Sequence, residues 1–258
     1  MLILGLMLTL TMPLYAQFYN GIHHPFGKNR IQYEEFLWKK YEFKDYTVFF
    51  YEEGRNLAVF AARQADQTIS EVERFFDYPV RSERLQFVIY EKMEHFRQSN
   101  VGIPETDESN IGGTTQIAGN KIFLYFNGDL NDLRRQIRKG ISEVLIAQML
   151  FGDNWREMIK NSTLLNFPDW YIDGLTWYAT EPWSIEADDR LGDIVLSGRY
   201  KNFNRLKGID SEIAGRSLWY YIGETYGSKV IPNIMYMARV SRNVESGFMF
   251  VLGISMNT

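Results

Sequence analysis

The sequence predicts an α+β fold, in which an N-terminal α/β lobe with a small mixed sheet is followed by a mostly helical C-terminal lobe. Short runs of β-branched and aromatic residues, typical of strands, all lie before Gly128. After Gly128, apolar residues recur at the three- and four-residue spacing of amphipathic helices. The chain has 258 residues, of which 45% are hydrophobic, so it can bury a substantial core. We therefore assign residues 17–128 and 129–258 to the two lobes.

The N-terminal lobe is predicted to contain two strands, one long helix and a hairpin. The helix is indicated by an apolar stripe that runs from Leu57 to Phe76. The hairpin is indicated by Gly119-Asn120, a dipeptide suited to a tight turn between two strand-like runs. The predicted elements are the strands Tyr46–Glu53 and Leu85–Glu91, the helix Asn56–Phe76, and the hairpin Thr114–Gly128 with its second strand at Lys121–Phe126.

The C-terminal lobe is predicted to be a series of helices. The first carries an apolar stripe that stops at Gly152, a residue that commonly ends a helix. The second opens at Pro168 and Asp169, because proline suits a first helical turn and aspartate favours the positive end of the helix dipole. The predicted helices are Asp129–Phe151, Pro168–Thr180, Ile185–Leu191, Ser211–Tyr226, Lys229–Val240 and Val244–Val251.

Composition excludes several classes of function. The net charge is −4 and no window is dense in lysine and arginine, so the chain lacks the basic surface that nucleic-acid binding needs. Cysteine is absent, which removes disulfides, thiol nucleophiles and thiolate zinc sites. Neither a glycine-rich phosphate loop nor a nucleophile elbow is present in the sequence.

The first sixteen residues, MLILGLMLTLTMPLYA, are apolar and end at the small residue Ala16. We interpret residues 1–16 as a signal peptide that is cut before Gln17, and we expect an exported protein of the periplasm or outer membrane. A membrane anchor is the alternative, but the run is shorter than the roughly 20 apolar residues that span a bilayer. The chain also ends on an apolar run, from which we expect the full-length protein to continue.

Two segments have the layout of the metal-binding helices of a zinc peptidase: Gln136–Gly152 and Asn166–Thr180. In an HExxH helix the histidines stand at i and i+4, so that one face presents both nitrogens to zinc, and the glutamate activates the bound water. Two registers can be tried here. The first places Lys139, Gly140 and Glu143 at the His, Glu and His positions.

The second register places Ser142, Glu143 and Ile146 at those positions. Helix geometry favours the first register, because Lys139 lies about 200° around the helix from the apolar stripe at 100° per residue. Neither register supplies a zinc site, since no histidine is present and Lys139 carries a cation. The simpler interpretation is that Lys139 and Glu143 form an i,i+4 ion pair.

The second segment matches a motif of a known family, in which Pro-x-Trp-aromatic-x-Glu-Gly-Leu-Ala-x-Tyr supplies the third zinc ligand. Asp173 stands where that family has the ligand glutamate. The sequence therefore resembles the gluzincin, or peptidase MA-like, metallopeptidases, which implies a zincin-like fold. The matching residues are Pro168, Trp170, Tyr171, Gly174, Leu175 and Tyr178.

A narrower resemblance is carried by FGKNRIQYEEFLW, IAGNKIFLYFNG and IPNIMYMARVSRNVESGFMFVLGISM. These segments resemble the N-terminal part of exported envelope proteins that join a peptidase MA-like domain to a TolB-like β-propeller. The resemblance implies a pseudopeptidase, because the three ligand positions (Lys139, Glu143 and Asp173) and the general-base position (Gly140) are all replaced. We expect no cofactor and no metal, a protein or peptide partner in the envelope, and a propeller further along the same chain.

The resemblance also implies a peptide-binding cleft beside the strand Lys121–Phe126. The residues expected to line it are Lys121, Phe123, Tyr125, Tyr171 and Tyr178, whereas Trp170 and Trp177 are assigned to packing.

An alternative is an active peptidase or glycosidase that uses Glu143 and Asp173 as a carboxylate pair, or a metal held by residues not yet placed. The histidines are His23, His24 and His95, and they show no spacing typical of metal ligands.

Overall fold

The computed structural model describes residues 33–51, 53–80, 84–99, 116–118, 120–152, 167–198 and 203–255. The signal-peptide prediction for residues 1–16, His23 and His24 lie outside these ranges. No helix in this described part is long and apolar enough to cross a membrane.

A five-stranded mixed sheet forms the N-terminal part of the molecule. The three central strands run parallel, and each outer strand pairs antiparallel with its neighbour, in the order β1-β2-β3-β5-β4. The predicted strands and hairpin are confirmed within a few residues at each end. The strands are β1 Trp38–Glu42, β2 Tyr46–Tyr51, β3 Leu85–Tyr90, β4 Gln116–Ala118 and β5 Lys121–Tyr125.

Strand β1 is an element that the sequence did not predict. Its sequence, WKKYE, has two adjacent lysines and therefore no apolar alternation. It forms by pairing with β2, from Trp38 opposite Tyr51 to Glu42 opposite Thr47. Exposed lysines are common on such an outer strand, because their charge discourages pairing with further chains.

Eight helices of the described part follow and flank the sheet. The predicted helices are confirmed. The main difference is in α5, which was predicted to end at Leu191 but includes Gly192 and continues to Leu196. The helices are α1 Arg55–Phe76, α2 Met93–Phe96, α3 Leu130–Phe151, α4 Asp169–Thr180, α5 Ile185–Leu196, α6 Gly208–Tyr226, α7 Val230–Ser241 and α8 Val244–Leu252, with a short 3₁₀ turn at Phe203–Arg205.

The two helices that carry the peptidase-like segments have clear local start signals. The Asp129 side chain caps α3 by accepting a hydrogen bond from the Asn131 amide at 2.8 Å. Helix α3 ends at Gly152, whose φ of 110° is a conformation that side chains disfavour. Pro168 immediately precedes the first turn of α4. These helix ends are therefore determined by the local sequence.

A single large hydrophobic cluster packs between one face of the sheet and the helices. It extends from Val48 in β2 through Ile137 in α3 to Trp219 in α6, so it spans both predicted lobes. A smaller cluster covers the opposite face of the sheet. Its fully or nearly buried members are Tyr51, Val88, Tyr90, Phe96, Phe123 and Tyr125.

Candidate functional site

Lys139 and Glu143 lie together on the face of α3 that points away from the core. The Lys139 ammonium is 3.5 Å from the Glu143 carboxylate, and 13% and 25% of the two side-chain surfaces remain exposed. Ile146, a ligand position of the second register, is fully buried in the core. The helix geometry therefore agrees with the first register, in which Lys139 and Glu143 share one face.

Helix α4 supplies the opposite wall through Trp177 and Asp173. The Lys139 ammonium lies 4.8 Å from the centre of the Trp177 ring, within the range of a cation–π interaction. Asp173 stands one helical turn before Trp177 and is exposed at its side of the site. Trp177 was assigned to packing from the sequence, but it is only half-buried and contacts the lysine instead.

Helix α6 adds Glu212, a residue that the sequence did not indicate. The Trp177 side chain donates a hydrogen bond to the Glu212 carboxylate. We call Lys139, Glu143, Asp173, Trp177 and Glu212 the recess. Its charged groups come from three helices, with one cation among three carboxylates.

A glycine contact brings α4 and α6 close enough to form the recess. A Cβ atom on Gly174 would lie 2.4 Å from the Gly215 carbonyl carbon, and one on Gly215 would lie 2.0 Å from the Trp170 carbonyl oxygen. Such distances exclude a larger residue without movement of the backbone. Gly215 lies about one helical turn after Glu212 on α6. A small residue at this position was the sequence signal that could have indicated a close helix contact beside Glu212.

Burial is the main cause of unusual proton affinity in the recess. It raises the pKa of Glu143 to about 7, aided by repulsion from Asp173 and Glu212 and opposed by Lys139. Asp173 reaches solvent on one side, but partial burial of its carboxylate, with repulsion from Glu212 and Asp169, raises its pKa to about 6 against the attraction of Lys139. Burial also raises the pKa of Glu212, against the effects of Lys139 and Trp177. The attraction of Lys139 therefore does not cancel the rise in pKa that burial and mutual repulsion cause in the three carboxyl groups.

The recess does not fit a zinc ion. At the positions of the first register, Lys139 presents an ammonium, Gly140 has no side chain and Glu143 is paired with the lysine. Zinc sites need neutral imidazoles, thiolates or carboxylates in a tetrahedral set. In the described residues, no three His, Asp or Glu side chains are grouped closely enough to hold a metal.

The structure corrects the position of Tyr171. This residue was expected to line a cleft, but it is fully buried between Phe167, whose ring stacks on it, and Trp219, whose indole donates to the Tyr171 carbonyl oxygen. Its hydroxyl has no hydrogen-bond partner in the described part of the chain. Tyr178 is half-buried against Phe75 of α1, and its hydroxyl lies over Gly223 of α6.

Strand β5, which was expected to bind a peptide along its edge, is not an outer strand of the sheet. β5 lies between β3 and β4, and Lys121 to Phe123 pair with β4. Phe123 and Tyr125 are buried in the smaller cluster, and Lys121 is half-buried. Along Lys121 to Phe123 the edge of β5 is therefore occupied by its own hairpin partner, so a peptide cannot pair with the backbone of β5 at these residues.

A cavity of about 430 Å³ lies elsewhere, between β2, α1 and the start of β3. Its lining includes Tyr46, Asp66, Glu73 and Arg84, and it shares no residue with the recess.

Comparison with known proteins adds no identification. No family model matches the chain, and no curated protein matches its sequence significantly.

Proposed function

We propose that this chain is a non-catalytic, metallopeptidase-like binding or scaffolding module of an exported cell-envelope protein. The observation that carries the proposal is the environment of Lys139, whose ammonium lies between Glu143 and Trp177. The resemblance to gluzincins implies that Lys139 takes the position of their first zinc ligand. An ammonium at that point repels a metal cation. The same resemblance implies that Gly140 takes the position of the general base, where it offers no carboxylate.

The recess remains suited to binding. Its three carboxylates outnumber its one lysine, and this excess of negative charge favours contact with a partner of complementary positive charge. In this proposal the partner lies in the periplasm or at the outer membrane, and a β-propeller of the same full-length protein is one such partner. The resemblance to exported envelope proteins supports this part of the proposal.

Introducing zinc-ligand residues on α3 and α4 tests whether these two helices have the arrangement of a zincin. We expect the wild-type chain to purify without zinc and to leave peptides intact. A variant with Lys139→His, Gly140→Glu, Glu143→His and Asp173→Glu should bind one zinc ion per chain in elemental analysis. A matched control places the histidines in the second register, with Ser142→His and Ile146→His, where the side chains point into the core.

Two outcomes would contradict the proposal. Stoichiometric zinc with peptide hydrolysis in the wild-type protein would show an active enzyme. A folded four-residue variant that binds no more zinc than the wild type would show that α3 and α4 do not have the ligand geometry of a zincin.

A second candidate function is hydrolysis by the carboxylates themselves. It is favoured by Glu143, whose pKa is raised to about 7 chiefly by burial, with Asp173 close enough to repel its charge and itself raised in pKa to about 6. Values this close to neutrality suit a general acid or base. Glu143→Gln should abolish such an activity on peptide or glycoside substrates, and an unchanged rate would eliminate this candidate.

A further inference from the structure

The cavity beside α1 lies at the amino ends of the parallel strands β2 and β3. Its volume of about 430 Å³ is within the range of sites that hold small organic molecules. Tyr46 and Leu85, the first residues of the two strands, line it together with Ile69 of α1, and all three are buried. These three residues belong to the large hydrophobic cluster, so the cavity has an apolar floor.

The walls of the cavity carry charges of both signs, and the charges come from different elements. Helix α1 contributes the carboxylates of Asp66 and Glu73, about two helical turns apart. The segments that lead into β2 and β3 contribute the cations Lys44 and Arg84, with one further carboxylate at Asp45. In the described part of the chain, none of these five side chains forms an ion pair. Opposite charges therefore line one cavity without a direct contact between them.

Hydrogen bonds hold the backbone of the two cation-bearing segments in place. The Leu85 amide donates to the Asp45 carbonyl oxygen at 3.2 Å, which joins the start of β3 to the segment before β2. The Asn120 side chain donates to the Arg84 carbonyl oxygen at 2.6 Å. Because these walls are already ordered, a ligand does not have to order them on binding.

Tyr46 on the floor keeps its proton near neutral pH. Burial, with repulsion from Asp66 and Asp45, raises its pKa to about 12. Its hydroxyl donates a hydrogen bond to the Ala62 carbonyl oxygen at 2.8 Å. The floor therefore contributes no charge, and ionic contacts with a ligand come from the walls alone.

The charged groups differ in how far they are free to bind a ligand. Glu73 already accepts a hydrogen bond from the Val80 amide at 2.8 Å. The side chains of Lys44, Asp66 and Arg84 are exposed and make no hydrogen bond within the described ranges. One carboxylate and two cations are therefore available, on different walls of the cavity.

A small molecule with both charges matches these walls. We propose that the cavity binds small zwitterions of the amino-acid class, either free amino acids or short peptides. The carboxylate of the ligand meets Lys44 and Arg84, its ammonium group meets Asp66, and an aliphatic side chain packs on the floor. The contacts are solvent-exposed, so each ion pair contributes modestly and the affinity is in the millimolar range. The site shares no residue with the recess and does not depend on the function proposed above.

Titration of the full chain with alanine and with alanyl-alanine, followed by NMR of the backbone amides, tests this site. We expect saturable shifts at the amides of Lys44, Tyr46 and Leu85 with at least one of the two probes. The probe that causes them distinguishes a free amino acid from a peptide as the ligand. The N-acetylated form of that probe lacks the ammonium group and the amidated form lacks the carboxylate, so each should bind roughly threefold to tenfold more weakly.

Arg84→Gln and Asp66→Asn should each weaken binding roughly threefold to fivefold, because each removes one ionic contact. The matched controls are Arg63→Gln, which removes an exposed cation of α1 outside the cavity, and Glu186→Gln on α5; both should bind as the wild type does. All four positions are exposed, so the folded structure should tolerate the changes. The absence of saturable shifts with both probes would overturn the proposal. So would equal binding of blocked and unblocked probes, or wild-type affinity in either Arg84→Gln or Asp66→Asn.

Discussion

Replacing Glu143 with glutamine should remove a pH-dependent cost from the folded state. The pKa of Glu143 is raised from 4.5 to about 7, chiefly by burial in the recess. Below about pH 4.5 the carboxyl group is protonated in both the folded and the unfolded chain, so it adds no penalty. As the pH rises towards 7, the unfolded chain ionises freely while the folded chain resists, and stability is lost.

The size of this loss follows from the change in pKa. A shift from 4.5 to about 7 corresponds to about 3 kcal/mol of unfolding free energy between low and high pH. Only a quarter of the Glu143 side chain is exposed, so solvent screens little of this cost. Asp173 and Glu212 titrate in the same recess and share part of the effect, so we expect a measured difference of about 2–3 kcal/mol.

Urea unfolding at about pH 4 and about pH 8 measures this difference. The glutamine variant should gain stability relative to the wild type at the higher pH, with little gain at the lower pH. Glu186→Gln, at an exposed position of α5, is the control and should give a profile parallel to that of the wild type. If the profiles of Glu143→Gln and the wild type are also parallel, Glu143 does not have the buried environment described above.

Three further predictions concern the stability of the fold. Gly215→Ala should destabilise the protein by about 3 kcal/mol, because the new methyl group would overlap the α4 backbone. Gly192→Ala is the control: it has open space around it and should stabilise α5 by about 0.5–1 kcal/mol. Equal effects of the two substitutions in thermal unfolding would rule out the close contact between α4 and α6. Tyr171→Phe should be neutral or stabilising by up to about 1 kcal/mol, since the buried hydroxyl has no described partner, and a loss of stability would reveal one. Asp129→Ala should cost about 1 kcal/mol through loss of the α3 cap, unless urea unfolding shows no change.

The sequence by itself determined most of the secondary structure. Helix α3 was predicted to within one residue, because its apolar stripe and the stop at Gly152 are properties of the helix alone. The hairpin of β4 and β5 followed from the turn at Asn120. The outward face shared by Lys139 and Glu143 also followed from periodicity, because 3.6 residues per turn fix which side chains lie together.

Only the tertiary structure decided which neighbours cover each face of a helix or strand. The sequence assigned Trp170 and Trp177 of α4 to packing and Tyr171 to a cleft, whereas the helix buries Trp170 and Tyr171 and leaves Trp177 half-buried. Glu212 entered the recess because two glycines let α4 and α6 approach closely, a contact between segments distant in the chain. Strand β1 likewise exists through pairing with β2 rather than through its own pattern. Local sequence sets the conformation of a segment, whereas burial and pKa depend on neighbours that folding brings from elsewhere.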